Sequence, residues 1–237
     1  SAPRSAALGA QVANGITTFT VWAPEVRRVE LVVEGPSDGA RDVRAMSPVG
    51  NGYWSAVFED LRAGTRYRYR LDRNDDRVFP DPASRFQPRG VHGPSEVIDP
   101  SQFAWSDSGW RTPRLDELIP YELHVGTFTP AGTFDGVAER LDYLAALGVT
   151  AIELMPVGDF AGNHNWGYDG AAIFAPARCY GTPDRMRALV DAAHRHGLAV
   201  ILDVVYNHFG PDGAYAAAFS PYYFSDRHER PWGRGIN

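Results

Sequence analysis

The stretch Leu198–Pro211, LAVILDVVYNHFGP, decides how the second half of the chain folds. Its opening residues are dense in Val, Ile and Leu and follow Gly197, so they read as a short buried strand of a parallel sheet. Asp203 interrupts the run on the face shared by Ile201 and Val205. An ionised carboxylate there is costly unless it is paired or hydrogen-bonded. Asn207 and His208 come directly after Tyr206. By residue type the three polar groups suit catalysis, metal binding, or support for chemistry located elsewhere. The carboxyl end of a parallel strand is where α/β active sites form. The blander reading of Asp203 is a structural cap on a neighbouring loop. No HExxH-like pairing accompanies the three, which argues against a transition metal, and no acidic loop supports calcium at Asn207.

Upstream, TPDRMRALVDAAHRHG (Thr182–Gly197) predicts a helix with Thr182 as N-cap, Pro183 at the first helical position and Gly197 as the stop. His194 and His196 fall near its last carbonyls and read as structural. VTAIELMP (Val149–Pro156) is a second strand, and IPYELHV (Ile119–Val125) a first. Between them FDGVAERLDYLAALG (Phe134–Gly148) predicts one helix, with Val137, Leu141, Leu144 and Leu147 on one stripe and Gly148 past its end. Successive strand–helix units mean α/β. Three strands cannot close an eight-stranded barrel, which needs about 250 residues.

The loop from Met155 to Asp184 is long and rich in Gly and Asn, and it holds Trp166, Tyr168 and Asp169 close together. Long loops inside compact domains are usually functional. An aromatic ring beside a carboxylate suits a sugar, stacking on its C–H face and accepting from its hydroxyls. A loop pinned down by its own aromatics is the structural alternative.

Up to about residue 100 the period changes. In TRYRYRLD (Thr65–Asp72), Tyr67, Tyr69 and Leu71 share one face and Arg66, Arg68 and Arg70 the other, the mark of a half-buried antiparallel strand. With ITTFTVWAP (Ile16–Pro24), VRRVELVVEG (Val26–Gly35) and GYWSAVFED (Gly52–Asp60), it predicts an immunoglobulin-like β-sandwich. Phe79–Trp110, rich in Pro and aromatics, reads as an extended connection anchored on a surface. The expected domains are a sandwich over 1–100, a connecting segment over 101–118 and a partial barrel over 119–237.

Bulk properties narrow the class. The net charge is −6, against the basic stripe of a nucleic-acid binder. All the basic residues are Arg, a bias of codon usage. The single cysteine fits a reducing compartment. Neither a leader core in residues 1–15 nor a membrane-length apolar run is present, so the expectation is a cytoplasmic protein with no membrane partner. Six Trp, eleven Tyr and twelve Phe fit either ordinary packing or carbohydrate contact.

DVVYNH (Asp203–His208) resembles the first signature region of the α-amylase superfamily of glycoside hydrolases. YELHVGTFTPAGTF, GVTAIELMPV, NWGYDGAAIFAP and YGTPDRMRALVDAAHRHG follow the same order, and FTVWAP, GTRYRYRLD and PDPASRFQP are similar to the carbohydrate-binding-module-like sandwich that precedes the barrel there. The likeness is nearest to the branch that releases trehalose from maltooligosyltrehalose. It implies a multidomain β plus α/β protein, with a sandwich followed by the first three βα units of a (β/α)₈ TIM barrel, that acts on an α-glucan capped by trehalose without a cofactor. It also implies that Trp166, Tyr168, Asp169 and His208 bind substrate, and that Asp203 and Asn207 support the active site. The superfamily's nucleophile and acid/base follow later barrel strands, so no catalytic residue is expected in this chain. The missing remainder of the barrel would be its partner. A glycogen-branching transferase and a non-catalytic glucan-binding module are the alternatives.

Overall fold

The computed structural model describes residues 7–35, 41–72, 77–230 and 233–237; of the N-terminal stretch read for a leader, residues 1–6 lie outside that range. The first eight strands are β1 (Gly9–Ala13), β2 (Ile16–Trp22), β3 (Val29–Glu34), β4 (Arg41–Ala45), β5 (Ser47–Gly50), β6 (Tyr53–Phe58), β7 (Arg66–Leu71) and β8 (Ser95–Glu96). They form two antiparallel sheets, β1-β2-β6-β5 and β4-β3-β7-β8. Alternation on β7 works as its sequence dictates. Tyr67 and Tyr69 are buried, and Phe19 on β2 meets Tyr67 edge-on at 4.9 Å, joining the two sheets. The arginine face pairs with neighbouring strands instead: Arg68 with Glu34 at 2.9 Å and Arg70 with Glu30 at 2.6 Å.

Under the two tyrosines lies a buried carboxylate. Asp81 Oδ2 accepts from the hydroxyls of Tyr67 (2.7 Å) and Tyr69 (3.2 Å), and its Oδ1 accepts from the Ala83 amide (2.8 Å). Burial pushes the Asp81 carboxyl above its ordinary pKa, against the pull of those donors. The connection is packed as expected: Phe86, Val91 and Val97 are buried, and the Trp110 ring stacks on His194 at 4.3 Å. His194 is a structural residue in consequence, with Nδ1 2.7 Å from Asp107 Oδ2. Trp105 differs, staying half exposed with Phe103 edge-on to it.

The second half has β9 (Pro120–Leu123), α1 (Val125–Phe128), α2 (Phe134–Ala138), α3 (Leu141–Leu147), β10 (Ala151–Leu154), β11 (Gly158–Asp159), β12 (Ala172–Pro176), α4 (Pro183–Arg195), β13 (Ala199–Leu202) and α5 (Ala216–Phe219). β9, β10 and β13 form a parallel sheet in sequential order, with Ile152 aligned to Tyr121 on one side and Val200 on the other. This is the arrangement that begins a (β/α)₈ ring. α4 carries the expected ends, the Arg185 amide capped by the Thr182 side chain and Pro183 in the first turn. Among the described residues no helix is long and apolar enough to cross a membrane.

Two expectations are corrected. The helix predicted over Phe134–Gly148 is two helices separated by a turn at Arg140 (φ −109°, ψ 4°). Phe134, Val137, Leu141 and Leu144 are buried across the break, but Leu147, assigned to the same stripe, is 54% exposed. β13 stops at Leu202, so Asp203 is not a strand residue; only its amide continues the ladder, donating to Leu154 O at 3.0 Å. Leu202 and Val204 are half exposed, because among the described residues no strand neighbours this edge of the sheet.

The halves interlock. α5 follows the last parallel strand, yet its Phe219 is 1% exposed inside the sandwich core, edge-on to Tyr69 (6.0 Å) and Phe79 (6.1 Å). Tyr223 packs edge-on against Trp22 at 5.3 Å. After it come β14 (Phe224–Arg230) and β15 (Gly233–Ile236), paired as a hairpin.

Candidate functional site

The carboxyl ends of β9, β10 and β13 are followed by His124, Met155 and Asp203, and the long loop after β10 folds over them. β11 and β12 pair antiparallel inside that loop and fix its base. Its tip is shaped by one amide. Asn165 Oδ1 accepts from the amides of Gly167 (2.7 Å) and Asp169 (3.4 Å), while its Nδ2 donates to Asp169 Oδ2 at 3.0 Å. Gly167 is required there on two counts: φ is +100°, and a β-carbon would overlap the Pro156 carbonyl.

This loop, the end of β9 and Tyr180 enclose a cavity of about 390 Å³ lined by His124, Thr127, Asn165, Trp166, Asp169 and Tyr180. His124 Nε2 is 2.7 Å from the Asn165 carbonyl, which can only accept, so Nε2 carries the proton. Nδ1 then accepts from Thr127 Oγ1 at 3.0 Å. The Tyr180 hydroxyl donates toward the same carbonyl at 3.3 Å, and burial pushes its pKa up to about 12, keeping the donor protonated. The Trp166 ring sits 4.8 Å from His124 and is 61% exposed. A flat apolar face, an acceptor carboxylate and fixed donors around an open cavity are what a polyhydroxyl ring needs.

The residues expected from sequence are partly gathered here. Trp166 and Asp169 line the cavity, whereas Asp203 lines a separate small cleft with Pro156, Gly167 and Tyr206. The Asp203 carboxylate has no hydrogen bond or ion pair among the described residues. Tyr168, 45% exposed, and His208 line neither space. Asn207 Oδ1 accepts from His208 Nδ1 at 2.7 Å, tying the two together. His124, Thr127, Asn165 and Tyr180 were not singled out from sequence. An Asn four residues before Asp169 in a Gly-rich loop was the available signal, since Asn side chains organise turns. Among the described residues, no three His, Cys, Asp or Glu side chains are grouped to hold a metal ion.

The loop after β13 lies directly against the loop after β10. Gly210 N donates to Gly170 O at 2.9 Å, and a β-carbon on Gly210 would overlap the Asp169 backbone. Gly210→Ala should therefore force the two loops apart, costing about 1–3 kcal/mol as overpacking does. Thermal denaturation checks it; an unchanged melting temperature would show that the loops yield freely.

Residues 91–232 match the family model of the alpha amylase catalytic domain, and residues 7–85 match carbohydrate-binding module 48, the isoamylase N-terminal domain. A malto-oligosyltrehalose trehalohydrolase of Saccharolobus solfataricus is 48% identical over 93% of this chain and 38% of its own length. The Deinococcus radiodurans enzyme of the same name is 46% identical over 93% of the chain and 35% of its length. The crystal structure of a pullulanase from Anoxybacillus sp. LM18-11, complexed with maltotetraose, superposes with a TM-score of 0.82 at 27% identity, covering 97% of this chain and 40% of that one. The chain thus spans little more than a third of the length of the curated relatives it matches.

Proposed function

The chain belongs to the alpha-amylase family, and on that premise we propose that it is the N-terminal part of a glycoside hydrolase that cleaves the α-1,4-glucosidic bond next to the trehalose end of maltooligosyltrehalose. The observation that carries this reading is the cavity at the carboxyl ends of the first parallel strands, where Trp166, Asp169 and the His124–Tyr180 pair meet. Trp166 stacks on a glucose ring and Asp169 accepts from its hydroxyls. Tyr168 and His208 contact the sugar on the nonreducing side of the cleaved bond. Asn207 holds His208, and Asp203 awaits an arginine from the remainder of the barrel, whose strands close the open edges of β9 and β13.

Retaining hydrolysis needs two carboxyl groups about 5 Å apart, one to attack and one to protonate the leaving oxygen. Asp169 is committed to Asn165 and Asp203 opens into a different cleft, so neither serves. The 237-residue chain binds α-glucan without cutting it. We divide it into a sandwich over 1–100, a connection over 101–118 and a partial barrel over 119–237. We place it in the cytoplasm on the strength of its single free cysteine.

Incubation with maltooligosyltrehalose should release no trehalose above a heat-killed control, and soluble glucan in a native gel should retard the chain. Trp166→Ala should weaken that retardation about tenfold, the equivalent of about 1.4 kcal/mol of lost stacking. Trehalose release would sink the claim of inactivity. Unretarded migration of the unmodified chain would remove the glucan reading itself.

A further inference from the structure

Asp159 is a buried carboxylate that lines neither the cavity nor the small cleft beside it. Its exposure is 0%; Oδ1 accepts from Arg178 Nη1 at 3.2 Å and from the Arg178 amide at 3.4 Å, while Oδ2 has no hydrogen-bond partner among the described residues. A half-satisfied carboxylate out of water is a standing cost to folding. What it holds is a guanidinium that grips the rising limb of the glucan loop. Arg178 Nη2 donates to the Gly162 carbonyl (2.9 Å) and to Asn163 Oδ1 (3.1 Å), and Nη1 reaches the Phe160 carbonyl at 3.5 Å. The other side of the guanidinium is closed by Gly90, where an added β-carbon would stand 3.1 Å from Arg178 Cζ. Two residues on, Tyr180 reaches the Asn165 carbonyl. The loop is therefore held at 160–163 and again at 165, immediately before Trp166 and Asp169. Neither Asp159 nor Arg178 lines the cavity.

We propose that Arg178, anchored by Asp159, is a positioning residue: it sets where Asn163–Trp166 stand over the cavity, and so sets affinity for α-glucan, without touching the sugar. The proposal rests on reading the cavity as a glucan site. A planar fork is needed because four acceptors at different positions (Asp159 Oδ1, the Phe160 and Gly162 carbonyls and Asn163 Oδ1) must be met at once, one more than the three donors of a lysine ammonium. The charge on Asp159 fixes the plane of that fork. Burial pushes the Asp159 carboxyl up to about 6, opposed by Arg178, so mild acid neutralises the anchor. Among the described residues, the other titratable group facing Asp159 is the Cys179 thiol, which burial raises above its ordinary value, so it stays protonated over the same range.

The test uses the full chain, maltohexaose as the probe, and two variants, Arg178→Lys and Asp159→Asn. Both variants should bind maltohexaose about tenfold more weakly at pH 7.5, with melting temperatures within a few degrees of the unmodified chain. Amides 162–169 should exchange hydrogen faster in both, with or without glucan. Between pH 7.5 and 5 the affinity advantage of the unmodified chain over Asp159→Asn should shrink through about pH 6. Any pH effect shared by the two proteins cancels in that ratio. Unaltered affinity and exchange in both variants would overturn the positioning role while leaving the glucan site intact. Failure of the unmodified chain to bind maltohexaose would overturn the glucan reading, and the ligand named here with it. A pH-independent ratio would overturn the anchoring role of Asp159, and Arg178→Lys would then test the fork alone.

Discussion

Phe219→Ala should lower the stability of the protein by about 3–5 kcal/mol, the range for removing a fully buried phenylalanine ring. The ring is 1% exposed and meets Tyr69 and Phe79 edge-on, so truncation leaves a cavity between aromatic walls and forfeits two ring contacts. At roughly 2–4 °C per kcal/mol for a chain of this size, the melting temperature should drop by about 10 °C. The informative part is where the loss registers. Phe219 belongs in sequence to the α/β half and in space to the sandwich. Hydrogen exchange should therefore quicken in β3 and β7, far away along the chain. Exchange confined to residues near 219 would show that the sandwich core stands without it.

Asp81→Ala should cost about 3 kcal/mol or more. It strips the acceptor from the Tyr67 and Tyr69 hydroxyls and from the Ala83 amide, each donor left buried at roughly 1–3 kcal/mol. Part of that is offset because a buried carboxyl is itself expensive. The sign of its pH dependence follows from the raised pKa. The folded state favours the neutral acid, so the stabilising proton is present at low pH and is lost as pH rises from 3.8 through the raised value. Asp81→Asn, which stays neutral throughout, should gain on the unmodified chain over that interval in urea denaturation. A difference that does not change with pH would mean Asp81 ionises as freely folded as unfolded.

The sandwich was legible where a period of two ran for several residues, as in β7 and β2, because one buried face imposes it. β4, β5 and β8 left no such mark. β5 is exposed along its whole length, and β8 is only two residues long, too short to show a period. The break at Arg140 was invisible for the opposite reason: Val137 and Leu141 keep their spacing across it, and hydrophobic period is blind to a turn that preserves the stripe. Family likeness was read correctly from DVVYNH and the motifs before it, as the matched catalytic-domain and carbohydrate-binding models show. At the candidate site, Trp166 and Asp169 stood out by type. His124 and Tyr180 did not, since they come from just after β9 and from beyond β12 and meet Asn165 only in the folded chain.

The placement of Phe219 also bears on synthesis. The sandwich strands emerge from the ribosome before α5 does, and the ring that completes their core is made long after β8. At about 5–20 residues per second, translation takes on the order of ten seconds to travel from Val97 to Phe219. For that interval Tyr69 and Phe79 present an unfilled apolar gap on a nascent chain, within reach of chaperones and of neighbouring chains on the same message. The sandwich is thus synthesised well before the residue that completes its core.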